Sequence, residues 1–357
     1  VTVTSLRRQQ GELLRSVLER LHGRAAPLPS WSLDEHRMAG LATGLTALVA
    51  HLTAGEPLES SLRAHLDEQA HQVATRIGRF QALIPEVAAT LVHADVPAVF
   101  VKGAALLDGV WGIAGARPMA DIDLVVPAHL RAVAGAALET AGHRWWASTS
   151  YEDAYLAWGD GSEGRRDGES AAHNGRIEVH PGWREHLHGY DAEGFDVIAA
   201  AEVGAEGALR LGLAALTAQV LGHLGACVVR NEVRAVNVVD VWWCHRSGVD
   251  WEEVGSWLVR ADARLTAPAV WLVDRVLPGV VPVALVAAEL ARLPSSASAL
   301  LRDASTDVVW RDPTTRTTLA WRSAFARSTV ERVRLMDQAV FAGGPRRPAT
   351  LAARVRR

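Results

Sequence analysis

The chain predicts an α+β fold in which a small mixed sheet sits between two helical regions. Three observations predict it. Apolar residues recur at three- and four-residue spacing before about residue 95, short alternating runs occupy the stretch from 96 to about 200, and helical spacing returns beyond. The chain has 357 residues, 49% of them apolar, enough to bury a sizeable core spread over two or three packed units.

Residues 1–95 are expected to be an N-terminal helical region. Leu13, Leu14, Val17, Leu18 and Leu21 share one helical face, as do Val73, Ile77, Phe80, Leu83 and Ile84. Pro27 and Pro29 interrupt the pattern, and so does the GEPL segment at 55–58. At residue 97 the run PAVFVKG is short, apolar and ends on a glycine, so it reads as a strand feeding the helix-compatible AALLDGVW. DIDLVVP alternates and stops at Pro127, and an Ala-rich helix follows from Ala128 to Ala141. Further strands are expected at 143–147 and 155–158, and at 176–180, where RIEVH alternates. The polar, glycine-rich segment 159–175 is a long loop. This gives an α/β core over 96–200. Residues 201–345 read as a C-terminal helical domain starting at LRLGLAALTAQVLGHLGACVV, with Asp250 capping the WEEV helix, and 346–357 form a basic tail.

The formal charge of −3 argues against holding duplex nucleic acid on a basic surface. No run of about 18 uncharged apolar residues occurs, and the N-terminus lacks a signal-peptide core. A cytoplasmic protein with no membrane contact is expected. Cys227 and Cys244 lack metal or redox spacing and read as reduced core residues. Abundant Ala and Arg with little Lys is the composition of a high-GC bacterium.

The chemistry concentrates in 99–127. Side chains two apart on a strand share a face, so Asp121 and Asp123 point together while Ile122 and Leu124 enter the core. Two adjacent carboxylates repel unless a cation lies between them, and Mg²⁺ (or Mn²⁺) favours one or two carboxylates plus phosphate oxygens. Transfer at phosphorus needs positioning and charge neutralisation more than covalent help, which calls for a third acid. Glu178, central in RIEVH, fits as metal ligand and general base, with His180 on its face as a supporting partner. Lys102 and Gly103 end the first strand at a helix start, where free N–H groups suit a phosphate, and Arg117 offers a planar fork for phosphate oxygens.

Each part alone has a plain alternative. A bare DxD is common, a KG pair is usually a turn, and a strand Glu is usually an exposed edge residue. Their joint order carries the reading. His173, His186 and His188 near His180 lack metal-ligand spacing, and His223 lies on an apolar face with Leu216, Val220 and Cys227, as core histidines do. Trp145, Trp146, Trp158 and Trp183 could stack a base, though core packing explains them as well.

The motifs VKGAALLDGVWG, ARPMADIDLVV and RIEVHPGW resemble those of the uncharacterised nucleotidyltransferases of the DNA polymerase β superfamily, related to the AbiE-type toxin enzymes. The resemblance extends more weakly over about 75–285, through His223, Asp240, and Asp250 with Trp251. It implies a mixed-sheet core in which Asp121, Asp123 and Glu178 bind metal, and transfer of a nucleoside monophosphate, AMP from ATP, with release of pyrophosphate. Superfamily members usually carry a Gly-Ser pair nearer the DxD. Here Ala104 follows Gly103, so Lys102 or Arg117 would replace the serine contact. Three functions fit: nucleotidyl transfer to a small-molecule or peptide acceptor, as in natural-product biosynthesis; a toxin-type enzyme acting on RNA or protein; and a non-catalytic fold that binds a substrate or partner.

Overall fold

The computed structural model describes residues 3–113, 115–149, 151–157, 175–187, 191–204, 208–230, 232–304, 321–328 and 331. Trp158, His173 and His188, nearly all of the predicted 159–175 loop, and the basic tail lie outside the described residues.

Four helices open the chain: α1 (Val3–Leu21), α2 (Leu33–Thr43), α3 (Thr46–Leu52) and α4 (Ser60–His93). The breaks fall where the prolines predict them. A further one, between α2 and α3, is made by Gly44 in the left-handed conformation at φ 71°, which closes α2 by donating to Gly40 O.

The core sheet has seven strands in the order β3-β4-β5-β2-β1-β9-β8. They are β1 (Val99–Val101), β2 (Asp121–Val126), β3 (Arg144–Ser148), β4 (Asp153–Leu156), β5 (Arg176–Pro181), β8 (Ala201–Val203) and β9 (Leu209–Leu211). β6 (Arg184–His186) and β7 (Asp191–Glu193) form a separate hairpin. α5 (Lys102–Leu106) follows β1, and α6 (Arg131–Thr140) follows β2. The sheet is mixed, because β2 is antiparallel to β1 but parallel to β5.

Two expectations are corrected. Leu209–Leu211 is a strand, not the start of a helix, because the apolar run LRLGLAAL hides the change at Gly212 and β9 finds a parallel partner in β1. The sheet therefore continues past residue 200. The helix after Lys102 is also shorter than AALLDGVW suggests, ending at Leu106.

The two sheet faces meet different covers. Ile122, Leu124, Val126, Ile177 and Val179 pack against Ile77, Phe80, Leu83 and Val87 of α4 and Ala134 and Leu138 of α6. The opposite face carries Val99, Val101 and Val125 into a second core shared with the C-terminal helices. These are α7 (Leu213–Arg230), α8 (Ala235–Arg246), α9 (Trp251–Leu258), α10 (Ala263–Val276), α11 (Val283–Ala291) and α12 (Ser295–Asp303). α9 is capped by Asp250 as expected. α7 is long and apolar enough to cross a membrane, yet 83% of it is buried inside the fold as the central core helix. Gly225 lets α10 approach it closely, since a Cβ there would lie 1.6 Å from Leu265 O.

Candidate active site

Register brings the acids together. β2 and β5 run parallel with Asp121 opposite Arg176, Asp123 opposite Glu178 and Val125 opposite His180, while Asp123 also faces Val101 of β1. All of these side chains except those of Val101 and Val125 are polar, and they occupy one patch of a face that is otherwise apolar. α7 and α8 roof the patch and leave a cavity of about 290 Å³, lined by Lys102, Arg117, Asp121, Asp123, Glu178, His223 and Arg234 among others.

Asp123 is the most tightly held acid. Its Oδ1 lies 2.7 Å from Lys102 Nζ and 3.0 Å from His180 Nε2. Burial pushes its carboxyl up, but Lys102 and the His180 hydrogen bond hold it far below the ordinary range. Asp121 accepts from Arg176 Nη2 at 2.9 Å, and the same nitrogen lies 3.2 Å from Glu178 Oε1. Burial and the charge of Asp123 raise Asp121. Glu178 is pushed up to about 8, by burial first and then by Asp123, Asp121 and Glu152. With all three acids ionised the patch would carry more negative charge than Lys102 and Arg176 neutralise, and Glu178 is the group that keeps a proton.

Lys102 comes to this position by an unusual backbone. Its φ of 52° is left-handed, at the junction of β1 and α5, and its N–H donates to Gln219 Oε1 at 3.0 Å. It is also the only lysine of the chain, against 36 arginines. That contrast is a sequence signal that motif reading alone passes over. Gly103 is required by crowding, since a Cβ there would lie 2.5 Å from Arg117 Nη1 and 2.8 Å from Met119 Sδ.

Arg117 is placed differently from the expectation of a free phosphate fork. Its Nε and Nη2 donate to the two oxygens of Asp240, each at 2.8 Å, and Trp111 Nε1 donates to Asp240 Oδ1 at 2.8 Å. Nη1, toward Gly103, donates to Pro118 O at 3.4 Å. The expected core histidine, His223, in fact lines the cavity and pairs with Glu185 Oε1 at 3.0 Å. Trp183 packs edge-on against Phe195 in the core, with ring centroids 5.0 Å apart, while Trp145 and Trp146 are exposed on β3.

Arg234 was not expected at the site. It is exposed at the cavity rim, just before α8, and forms no ion pair among the described residues. Nothing in its local sequence marks it, because the turn between α7 and α8 alone brings it to the acids.

A divalent cation fits this donor set. Ligand atoms of Asp123, Glu178 and His180, all buried, lie within 4.8 Å of one another. Asp121 adds a further carboxylate at the cavity edge, tied for now to Arg176.

No curated protein and no solved structure matches the chain. A family described as uncharacterised nucleotidyltransferase matches residues 33–273, about two thirds of the chain. That span takes in α2–α4, the whole sheet, and the α7 and α8 roof of the cavity. The chain belongs to this nucleotidyltransferase family.

Proposed function

We propose that the protein transfers a nucleoside monophosphate, AMP from ATP, to an oxygen of a small-molecule or peptide acceptor, with Mg²⁺ or Mn²⁺ held by Asp123, Glu178 and Asp121. The observation that carries this reading is the aligned pair Asp123 and Glu178 on parallel strands, buried beneath a cavity with cations at its rim. His180 supports Asp123 and adds a ligand nitrogen within reach of both acids. Bound there, the cation would neutralise phosphate oxygens and polarise the phosphorus centre.

The chain's own groups divide the remaining work. Lys102, at the strand-to-helix turn, and Arg234, at the rim, would meet the triphosphate. An acceptor oxygen attacks the α-phosphorus, the bond to the β-phosphate bridging oxygen breaks, and pyrophosphate leaves. Where that oxygen is a hydroxyl, its proton goes to Glu178, the carboxylate beside the cation site that faces the cavity. Arg117 acts through structure, locking Asp240 and the roof helix α8 against the loop that leads into β2.

The test is a transfer assay with α-³²P-labelled nucleoside triphosphates and Mg²⁺, resolved into RNA, protein and small-molecule fractions of a cell extract. Label in the small-molecule or peptide fraction, with pyrophosphate release lost in Asp123→Ala, supports the reading. Label confined to RNA or to the protein fraction would replace it with the toxin-type alternative. Failure of every triphosphate to bind by calorimetry, with either metal, would replace it with the non-catalytic one.

A further inference from the structure

The wall of the cavity contributed by α7 carries a second set of reactive groups. Val220, His223, Cys227 and Arg230 fall at helical spacing on one face of α7, and all four line the cavity. Cys227 Sγ lies 3.7 Å from His223 Nε2 and 3.5 Å from Arg230 Nη2. The other ring nitrogen of His223 lies 3.0 Å from Glu185 Oε1, and Arg230 Nη1 donates to Glu185 Oε2 at 3.2 Å. A sulfur with two cationic partners, one of them an imidazole oriented by a carboxylate, has the arrangement that activates a nucleophile.

We propose that Cys227 is a nucleophilic thiolate that takes the acyl group from an acyl adenylate, and that the acceptor at the acid patch is a carboxylic acid. The proposal rests on the nucleotidyl-transfer reading for the origin of the adenylate. In the first step a carboxylate oxygen attacks the α-phosphorus of ATP and pyrophosphate leaves, with no proton to remove. In the second, Cys227 Sγ attacks the acyl carbon. The C–S bond forms, the bond from that carbon to the phosphate oxygen breaks, and AMP leaves with the electron pair. A thioester on Cys227 results, to be passed to an amine, hydroxyl or thiol. His223 and Arg230 hold the sulfur as thiolate beforehand.

The protonation states agree with the geometry. Burial alone would raise the Cys227 thiol, but His223 and then Arg230 bring it below its ordinary value. Burial would lower His223, yet the charges of Cys227 and Glu185 take it to about 10. The groups facing this cluster are Glu185 from β6, Arg230 and His223 from α7, Lys102 from α5, Arg234 before α8, and Glu232, which accepts from Arg230 Nε at 3.0 Å. Cys244 is the built-in control, a buried thiol pushed up to about 12 by its burial.

Iodoacetamide labelling of the full native chain at pH 7, read by peptide mass spectrometry, tests the thiolate. Cys227 is expected to react at least about tenfold faster than Cys244, and His223→Asn or Glu185→Gln to slow it by about tenfold while circular dichroism stays unchanged. Equal rates for the two cysteines, or labelling of Cys227 only in urea, would overturn it. Acetyl-adenylate added to the same protein tests the acyl step without any nucleotidyl transfer. An acetyl adduct on Cys227, released by hydroxylamine and absent from Cys227→Ser, supports the step. Rapid alkylation with no adduct overturns the acyl assignment. An adduct from acetyl-adenylate in a protein that releases no pyrophosphate from ATP and any carboxylic acid would sustain the thiolate and overturn the nucleotidyl-transfer reading instead.

Discussion

Lys102 Nζ lies 2.7 Å from Asp123 Oδ1, so the only lysine in the chain neutralises the central acid of the site. An arginine in its place would bring a wider, planar group into a turn already crowded by Arg117 and Met119. Lys102→Ala is expected to raise the KM for the triphosphate by about tenfold or more, and Lys102→Arg to restore little of that loss. Steady-state pyrophosphate release against triphosphate concentration measures both.

Asp123 and Asp121 differ in their surroundings and are expected to fail differently. Asp123 belongs to the buried ligand cluster with Glu178 and His180, whereas Asp121 is partly buried and bound to Arg176. Asp123→Asn should abolish tight Mn²⁺ binding by calorimetry and lower turnover by about two to three orders of magnitude. Asp121→Asn should lower turnover comparably while keeping measurable metal binding. Loss of binding in Asp121→Asn alone would reverse the assignment.

Glu178 makes the metal-free protein sensitive to pH. Its carboxyl is raised from 4.5 to about 8, by burial first and by Asp123 and Asp121 next. Between those values the folded chain holds a proton that the unfolded chain has released, so stability falls as pH rises through the window. Glu178 alone contributes at most about 1.4 kcal/mol per pH unit, and Glu178→Gln should remove that part, while His223, raised from 6.5 to about 10, adds a fall of the same sign above about pH 6.5. Asp121, also raised, adds to the same trend, while Asp123, depressed, contributes no slope there. Urea denaturation in EDTA between pH 5 and 8 measures the effect. Metal binding must expel the same proton, so Mn²⁺ affinity should increase with pH up to about 8.

Arg117 and Asp240 form a bidentate pair with almost no exposure, at 8% and 3%. Removing either partner leaves a buried charge without its counterpart, and Arg117→Met or Asp240→Leu should each cost about 3–5 kcal/mol. The double substitution should recover a good part of that. Denaturant midpoints of the four proteins decide, and simple additivity would mean that the pair is not coupled.

The fold and much of the site were legible because they depend on local patterns. Alternation in DIDLVV and RIEVH places Asp121, Asp123 and Glu178 on one face, and the observed register of β2 with β5 agrees. Pro27, Pro29 and Pro57 mark the helix breaks near them, because a proline ring disfavours a continuing helix, although Pro85 and Pro268 lie within helices. The strands β8 and β9 were hidden, since three residues are too few for a period to show and their pairing is set by the free edge of β1. The engagement of Arg117 by Asp240 is a contact between residues 123 positions apart, and no spacing announces it. The same holds for Glu185, which becomes the partner of His223 only after the β6–β7 hairpin folds against α7.

Gly225 and the crossing of α7 over α10 give the site a mechanical character. α7 carries Gln219, which fixes the turn at Lys102, and His223 and Cys227, which face the acids, all on a helix pressed against the Leu265 carbonyl. A side chain added at position 225 would act as a wedge, tilting the helix and moving the cation clamp and the thiol wall together. A substitution at Gly225 would therefore retune the pocket as one jaw, from a position far from the acids.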